Sequence, residues 1–562
     1  MSVHRFRYWS LKILSLWGLA LIAFLLPHLL PGSPLTLYEP WPNDPVLRAR
    51  LVAAYGFDRP LAVQYLVWMR RVSSGQWGYS RFYQRAVFTD ILRAAGLSVV
   101  FLLWTVVAYA LWRILIYGID RVLRCFRLSL SFGKQLVWLE AIPKFLVAIV
   151  VHNLAVWRLG WTSLLPIGLF TPSHYLNPLV MLLPASVLAL VPLSLWYAHA
   201  QTVACVQHAT VWERWLLSVR RHCLLVRPLL GYLFMEACLT EHVFGLPGLG
   251  RFGIDALRRR DFPAIQGFIL GAGILYVLLL LVLDWGTGQR SQPRSLATPS
   301  PEGWRYRQTL YGAAWGVIVL VALVIWAPHL HLHDPTEIHT YDQLLWPNAR
   351  YILGTDFLGR DVFSRTVEGF RTSMPRIGYS IGFIVIASGL FFGLKQLLPV
   401  ALQQAWRNSL ACFEALPTFL LGLLTFLVVE RHGWPLEVVL TVSCLPLACQ
   451  MTLVATSLFY RLAALAYLAE LMLLLDVSFF YLNLSPEPLS PTWGGDLRIG
   501  TNYSHLNIWL LLAPALAVTW SRYIFHRLGI HNPLIERASP CPVGPVAMVS
   551  EDVEEGTGLP QP

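Results

Sequence analysis

Charge is scarce in this sequence. Asp, Glu, Lys and Arg make up 13% of its 562 residues, against 56% hydrophobic ones, where soluble domains carry about 25% charged residues. An ordinary soluble globular protein is thereby excluded. CxxC pairs are absent: Cys125, Cys205, Cys223, Cys238, Cys412, Cys444, Cys449 and Cys541 fall mostly in or beside apolar runs. That argues against a disulfide framework or a zinc site, and the cysteines read as small buried hydrophobes. No GxxxxGK[ST] occurs, hence no loop to cradle nucleotide phosphates, and no nucleophile–base set is visible. The chain is not expected to be an enzyme or to carry a cofactor. Arg5 and Arg7 precede an apolar run, but "LPHLLPGSPL" offers no A-x-A-like cleavage site. A retained first helix is expected rather than a signal peptide.

What is present is a series of long apolar runs, with a mean hydropathy of +0.55. Runs of bilayer length occur near 13–30, 96–117, 142–157, 179–197, 229–239 and 265–283. They resume near 310–326, 377–394, 416–429, 436–460, 462–482 and 506–524. At about twenty residues per crossing this predicts an all-α polytopic membrane protein with about twelve transmembrane helices. The Gly-, Ser- and Pro-rich stretch 286–308 reads as a cytoplasmic linker between two halves, 1–285 and 309–535, with transmembrane cores of about 94–285 and 375–526. Residues 536–562 lack periodicity, end acidic and are expected to be disordered. "EAIPKFL" from Glu140 and "EALPTFL" from Glu414 open the third run of each half, which points to a duplicated, pseudo-two-fold architecture.

The net charge of +12 invites a nucleic-acid reading, but the bases sit in short loops beside apolar runs. That pattern fits an anionic lipid leaflet, and no nucleic-acid partner is expected. Arg121, Arg124, Arg127 and Lys134, then Arg214, Arg220, Arg221 and Arg227, then Arg290, Arg294, Arg305 and Arg307 mark the cytoplasmic side. Both termini are then inside, and the long loops 31–93 and 328–376 face outward.

Against this apolar background, "GTDFLGRDVFSRTVEGFRTS" from Gly354 concentrates Asp356, Arg360, Asp361, Arg365, Glu368 and Arg371. With Thr355 or Asp356 as N-cap, Leu358, Val362, Phe363, Val367 and Phe370 share one helical face. Asp361 with Arg365, and Glu368 with Arg371, would lace the other. The reading is an amphipathic helix on the outer surface leading into the eighth span; periodicity does not account for Gly359, Arg360 and Asp361 standing together. In "EHVFGLPGLG" from Glu241, Pro247, Gly248 and Gly250 permit a tight turn. Arg260 and Asp261 read as a surface pair. Asp476, inside an apolar run, should either face a pathway or partner or snorkel from an outer end. "HLHLH" at His329–His333 could present three imidazoles to a metal if extended, although no metal site is expected.

"TDFLGRDVFSRTVEGFRTS" resembles the signature before the second span in one permease of the dipeptide/oligopeptide ABC importer family. "EHVFGLPGLGRFGIDALRRRDFPAIQG" resembles the signature after the fifth span of the partner permease, and "LLPGSP", "YGFDRPLAVQYLVWM", "PLSPTWGGDL" and "APALAV…HNP" extend the likeness to about residue 533. The chain looks like both permeases fused, each half a type I ABC permease. The resemblance implies a bacterial inner-membrane permease importing peptides or a related solute. It also implies separate cytoplasmic ABC ATPase subunits and a periplasmic substrate-binding protein, and places the Glu241 segment near the mouth where that protein docks; a packing elbow is the other reading of that segment. Two departures stand out. The family's cytoplasmic coupling helices are represented in the first half by 201–228, without its Gly, where Trp212, Glu213, Arg214, Arg220 and Arg221 offer contacts. In the second half little more than Arg461 remains, and Tyr481 and Asn483 stand at glycine positions. A diverged non-transporting homologue with an assembly or sensing role and an ATP-independent channel or carrier are the alternatives.

Overall fold

The computed structural model describes residues 3–30, 45–125, 140–158, 178–199, 226–287, 304–330, 332–399, 417–454, 458–484 and 490–529, with 35, 223, 402 and 403 besides. Trp212, Glu213, Arg214, Arg220 and Arg221, most of the expected linker and the acidic tail lie outside these residues. Among the described residues the regular structure is helical. The first half contributes α1 (Val3–Leu29), α2 (Pro45–Tyr55), α3 (Leu61–Ser73), α4 (Val87–Cys125), α5 (Lys144–Asn153), α6 (Pro178–His199), α7 (Leu230–Val243), α8 (Leu249–Arg258) and α9 (Phe262–Thr287). The second contributes α10 (Trp304–Leu330), α11 (Val362–Leu397), α12 (Thr418–His432), α13 (Leu436–Val454), α14 (Leu458–Tyr481), α15 (Trp493–Tyr503) and α16 (Trp509–Gly529).

Local chemistry repeats between the halves. Pro143 and Pro417, from the two "EA-P" segments, are the N-cap residues of α5 and α12 with nearly the same backbone angles, φ −56° and −58°. Proline's fixed φ and missing N–H suit a helix start. The long helices α4 and α11 each follow an isolated antiparallel bridge, Tyr79 with Ala86 and Thr355 with Asp361. A residue just before each last helix ties back to the loop before the long helix. Asp261 accepts from the Ser80 hydroxyl at 2.6 Å and the Phe82 amide at 3.2 Å. Asn507 donates to the carbonyls of Leu345 at 3.0 Å and Leu353 at 3.3 Å.

Packing follows the same scheme: α4 lies on α6 as α11 lies on α13, and α1 on α9 as α10 on α16. The halves meet where α7 and α1 touch α12. One apolar core runs through both, from Phe145 and Met235 to Phe419, Phe426 and Phe479, with Phe479 stacked 5.9 Å from Phe426. Burial of this kind is worth about 1.5–3 kcal/mol per large side chain in water; in lipid, close fit carries more of the association. On the other side of α11, Tyr379, Phe383, Ile386, Leu390 and Leu394 are exposed. They recur every three or four residues, a stripe without protein cover that suits acyl chains. Leu92, Val99, Leu103, Val106 and Ile114 make the corresponding stripe on α4.

Among the described residues, five segments can cross a membrane by length and composition: Trp9–Leu29, Val87–Leu123, Phe262–Gly286, Val362–Leu397 and Arg461–Tyr481. Lys144–Trp157, Val180–Leu193, Trp315–Leu330 and Leu436–Met451 are shorter apolar helices. The first of these shorter helices ends in a π-turn, Leu154–Arg158. One asymmetry is sharp. Between α13 and α14 only residues 455–457 intervene, whereas 200–229 separate α6 from α7.

Candidate functional site

The two signature segments turn out to be clamps made of buried charge. In the first, the expected N-cap is corrected. Asp361, not Thr355 or Asp356, caps α11, accepting from the amides of Phe363 at 3.4 Å and Ser364 at 3.0 Å and from the Ser364 hydroxyl at 2.5 Å. Residues 354–360 are held back from helix because Gly354 and Gly359 sit at φ +77° and +78°, a region that costs residues with a Cβ about 1–2 kcal/mol. At Gly359 a Cβ would also strike the carbonyl of His339.

The turn so formed explains the Gly-Arg-Asp triplet. The Asp356 carboxylate accepts from the amides of Leu358 at 2.9 Å and Arg360 at 3.0 Å and from the Arg360 Nε at 2.8 Å. Both side chains are buried, 2% and 3% exposed, so this pair fixes a turn rather than decorating a helix face. The expected Asp361–Arg365 pair does not form. Arg365 instead forks onto Asp496 of α15, with Nε at 2.8 Å and Nη2 at 2.5 Å, and its Nη1 donates to the Pro335 carbonyl at 3.1 Å. Planar guanidinium donors suit this multidentate grip. Burial pushes the Asp496 carboxyl up from its ordinary value, and Arg365 pulls it down. Of the expected lacing, Glu368 with Arg371 is present, at 3.3 Å on the exposed side. Beside it opens a shallow depression lined by Leu332, His333, Asp334, Pro335, Glu368 and Arg371.

The clamp continues along α11. The Trp493 indole donates to the Thr366 carbonyl at 2.9 Å and lies against Gly369, where a Cβ would collide with the ring. Ser373 donates to Asp476 at 2.8 Å and Arg376 pairs with it at 3.3 Å. Asp476 is therefore neither snorkelling nor lining open space; it is 1% exposed and partnered by α11. His333 lies 3.8 Å from Asp361, with its ring 4.8 Å from that of Tyr351. Among the described residues no group of three His, Cys, Asp or Glu could hold a metal; His331 is outside them.

In the second segment Glu241 closes the turn that Pro247, Gly248 and Gly250 were expected to permit. Its carboxylate accepts from the Ser98 hydroxyl at 2.5 Å and from the amides of Gly250 at 2.7 Å and Arg251 at 3.4 Å, capping α8. Ser98, on α4, in turn accepts from the Leu249 amide at 2.8 Å. Pro247 is half-buried within the turn. The glycines answer to space rather than dihedral angle: a Cβ at Gly248 would strike the Glu241 carboxyl, and one at Gly250 would lie 2.5 Å from the Cys238 Cα. The surface pair expected of Arg260 and Asp261 is corrected as well. Asp261 is buried against Ser80 and Phe82, while Arg260 reaches Glu430 of α12 at 2.7 Å, joining the two halves.

Sequence reasoning missed Ser98 and Asp496, whose roles lie with partners far away in the chain. It also missed Glu236, Glu470, Arg522 and His526, charges within apolar runs that the same reasoning used for Asp476 would have flagged. The carboxylates of the two segments are mostly committed to caps, turns and ion pairs. The arrangement anchors helices and presents a fixed surface. It is not poised for bond-making chemistry.

No family model matches the chain. The "Glutathione transport system permease protein GsiC" of Salmonella choleraesuis (strain SC-B67) is 28% identical over 286 residues, spanning 47% of this chain and 90% of its own. The "Putative peptide permease protein BRA0408/BS1330_II0405" of Brucella suis biovar 1 is 28% identical over 303 residues, 48% of this chain and 91% of its own. The "Putative peptide transport system permease protein BRA1092/BS1330_II1084" of the same organism is 26% identical over 285 residues. These are membrane subunits of transport systems, not enzymes. Over about half its length this chain is a homologue of peptide- and glutathione-transport permeases, the family that its signature segments resemble.

Proposed function

We propose that the chain is a fused permease, both membrane halves of an ABC importer for peptides or a related small solute, in a bacterial inner membrane. In this reading the chain crosses about twelve times, with both termini and the linker 286–308 cytoplasmic. Separate ATPase subunits supply the energy and a periplasmic binding protein delivers the solute to the face carrying Glu241–Gly267 and Gly354–Ser373. The observation that carries the reading is the twofold order of elements. A Pro-capped helix, two further helices, a short helix and a last helix follow the bridge-started long helix in each half. One relative's match spans 47% of this chain and 90% of its own length, about the length of one such half.

Pull-down of the tagged chain from native membranes tests it. ATPase subunits and a periplasmic binding protein should accompany the chain in stoichiometric amounts; their consistent absence would sink the reading. One observation favours a second reading, a non-transporting homologue with an assembly or sensing role. The junction between α13 and α14 leaves three residues where a coupling helix would stand. Photo-crosslinkers at Trp212 and Arg461 separate the two. The importer reading expects ATPase adducts dominated by Trp212, since coupling needs a contact that differs between two states. Adducts from neither position favour the second reading.

A further inference from the structure

A set of charges buried within the bundle belongs to neither signature segment. Glu140 stands just before α5 and Lys144 in its first turn, and Tyr232 and Glu236 lie on α7, all in the first half. Glu470 lies on α14, and Arg522 and His526 on α16, in the second. Their contacts form a continuous series. His526 lies 3.8 Å from Glu140 and 3.3 Å from Glu470. Arg522 donates to Glu470 at 2.9 Å and holds its guanidinium 5.2 Å from the centre of the Tyr232 ring. The Tyr232 hydroxyl donates to Glu236 at 2.5 Å, and Glu236 accepts from the amides of Lys144 at 3.2 Å and Phe145 at 2.7 Å, capping α5. The Lys144 ammonium, 1% exposed, donates to the Ile142 carbonyl at 2.8 Å.

Along α16 the series lies well away from the Gly354 loop, while on α7 Glu236 stands five residues before Glu241. Asn507, which holds the Gly354 loop, precedes α16, and Arg522 and His526 come fifteen and nineteen residues later. At 1.5 Å per residue that is about 22–28 Å along the helix. Burying so many charges costs several kcal/mol per ion before pairing, and apolar side chains of similar volume would join two static halves at least as well. Charges kept inside a membrane bundle are better suited to contacts that form and part.

We propose that Glu140, His526 and Glu470, supported by Arg522, Tyr232 and Glu236, form a polar latch that closes the passage between the halves at the end away from the Gly354 loop, and that parts when solute crosses. The proposal rests on the transport reading above. His526 is its pivot, because it touches carboxylates of both halves.

The test uses the full chain, with native cysteines replaced, in inside-out vesicles without ATPase or nucleotide. A reporter cysteine at Ile149, fully buried on α5 beyond the latch, is challenged with an impermeant thiol reagent. It should stay protected in the parent and in His526→Lys, whose cation can still bridge. In His526→Ala and Glu140→Gln it should label about tenfold faster, the effect of a ~1.4 kcal/mol shift toward the open state. Equal rates in parent and variants overturn the latch. A second reporter at Ile269, also fully buried, should stay protected throughout. If both reporters label, the variant has misassembled, and Glu140→His/His526→Glu must then restore protection or the proposal falls. Failure of ATP-driven uptake by the parent would count against the transport reading alone, since labelling needs neither nucleotide nor ATPase.

Discussion

Arg360 and Asp356 show how a buried pair differs from a surface one. Removing one partner strands the other charge in the interior, a loss of about 3–5 kcal/mol, whereas replacing both with apolar residues is often nearly neutral. Arg360→Ala should therefore lower the midpoint of thermal unfolding in detergent more than Arg360→Lys, which keeps a cation beside Asp356. Equal losses in the two variants would refute the pairing argument. Glycines offer a parallel contrast. Gly433 has φ +67° with open space around it, whereas Gly359 combines φ +78° with the His339 carbonyl. Gly433→Ala should cost about 1 kcal/mol and Gly359→Ala clearly more, read in the same melts; equal costs would remove the steric argument. The sequence displayed these charges and glycines but not their partners. Helical spacing suggested Asp361 with Arg365, yet Arg365 is held by Asp496, 131 residues away, and no local period encodes such a contact.

At the scale of elements, the start of α11 is set by competition between a good capping residue and the turns before it. Thr355 and Asp356 have capping side chains, but the positive-φ glycines keep 354–360 non-helical and Asp361 takes the role. Asp361→Ala should cost about 0.5–2 kcal/mol and speed amide exchange at Phe363 and Ser364 first, with Asp361→Asn intermediate. Unchanged protection at those two amides would show that the bridge alone defines the start. Helix existence was legible from apolar runs, and the Pro starts of α5 and α12 from a repeated heptad. The boundaries were less so, because an apolar run does not say where a cap wins. Span two read as 96–117, yet α4 already begins at Val87.

At the scale of the molecule, two units with matching order meet through α7, α1 and α12, through Arg260 with Glu430, and through the His526 series. Because those contacts do not need a covalent join, halves co-expressed from a chain cut between residues 288 and 303 should co-purify from the membrane. Failure of either half to accumulate would count against two self-contained permease units. The matching Pro starts of α5 and α12 were readable from paired motifs. The interface was not, since its residues come from segments far apart in sequence.

The length of α11 has a mechanical consequence. Its 36 residues span about 54 Å, well beyond the roughly 30 Å of a hydrocarbon layer. One end is pinned by Asp361, Arg365 and the Trp493 indole, while the Leu397 side chain at the other is 81% exposed. A thinner or thicker bilayer therefore cannot be accommodated at the pinned end; the strain is taken up by tilt about that anchor and by displacement of the far end. Lipid thickness becomes a mechanical load on the helix, applied through a fulcrum whose position the Gly-Arg-Asp turn sets.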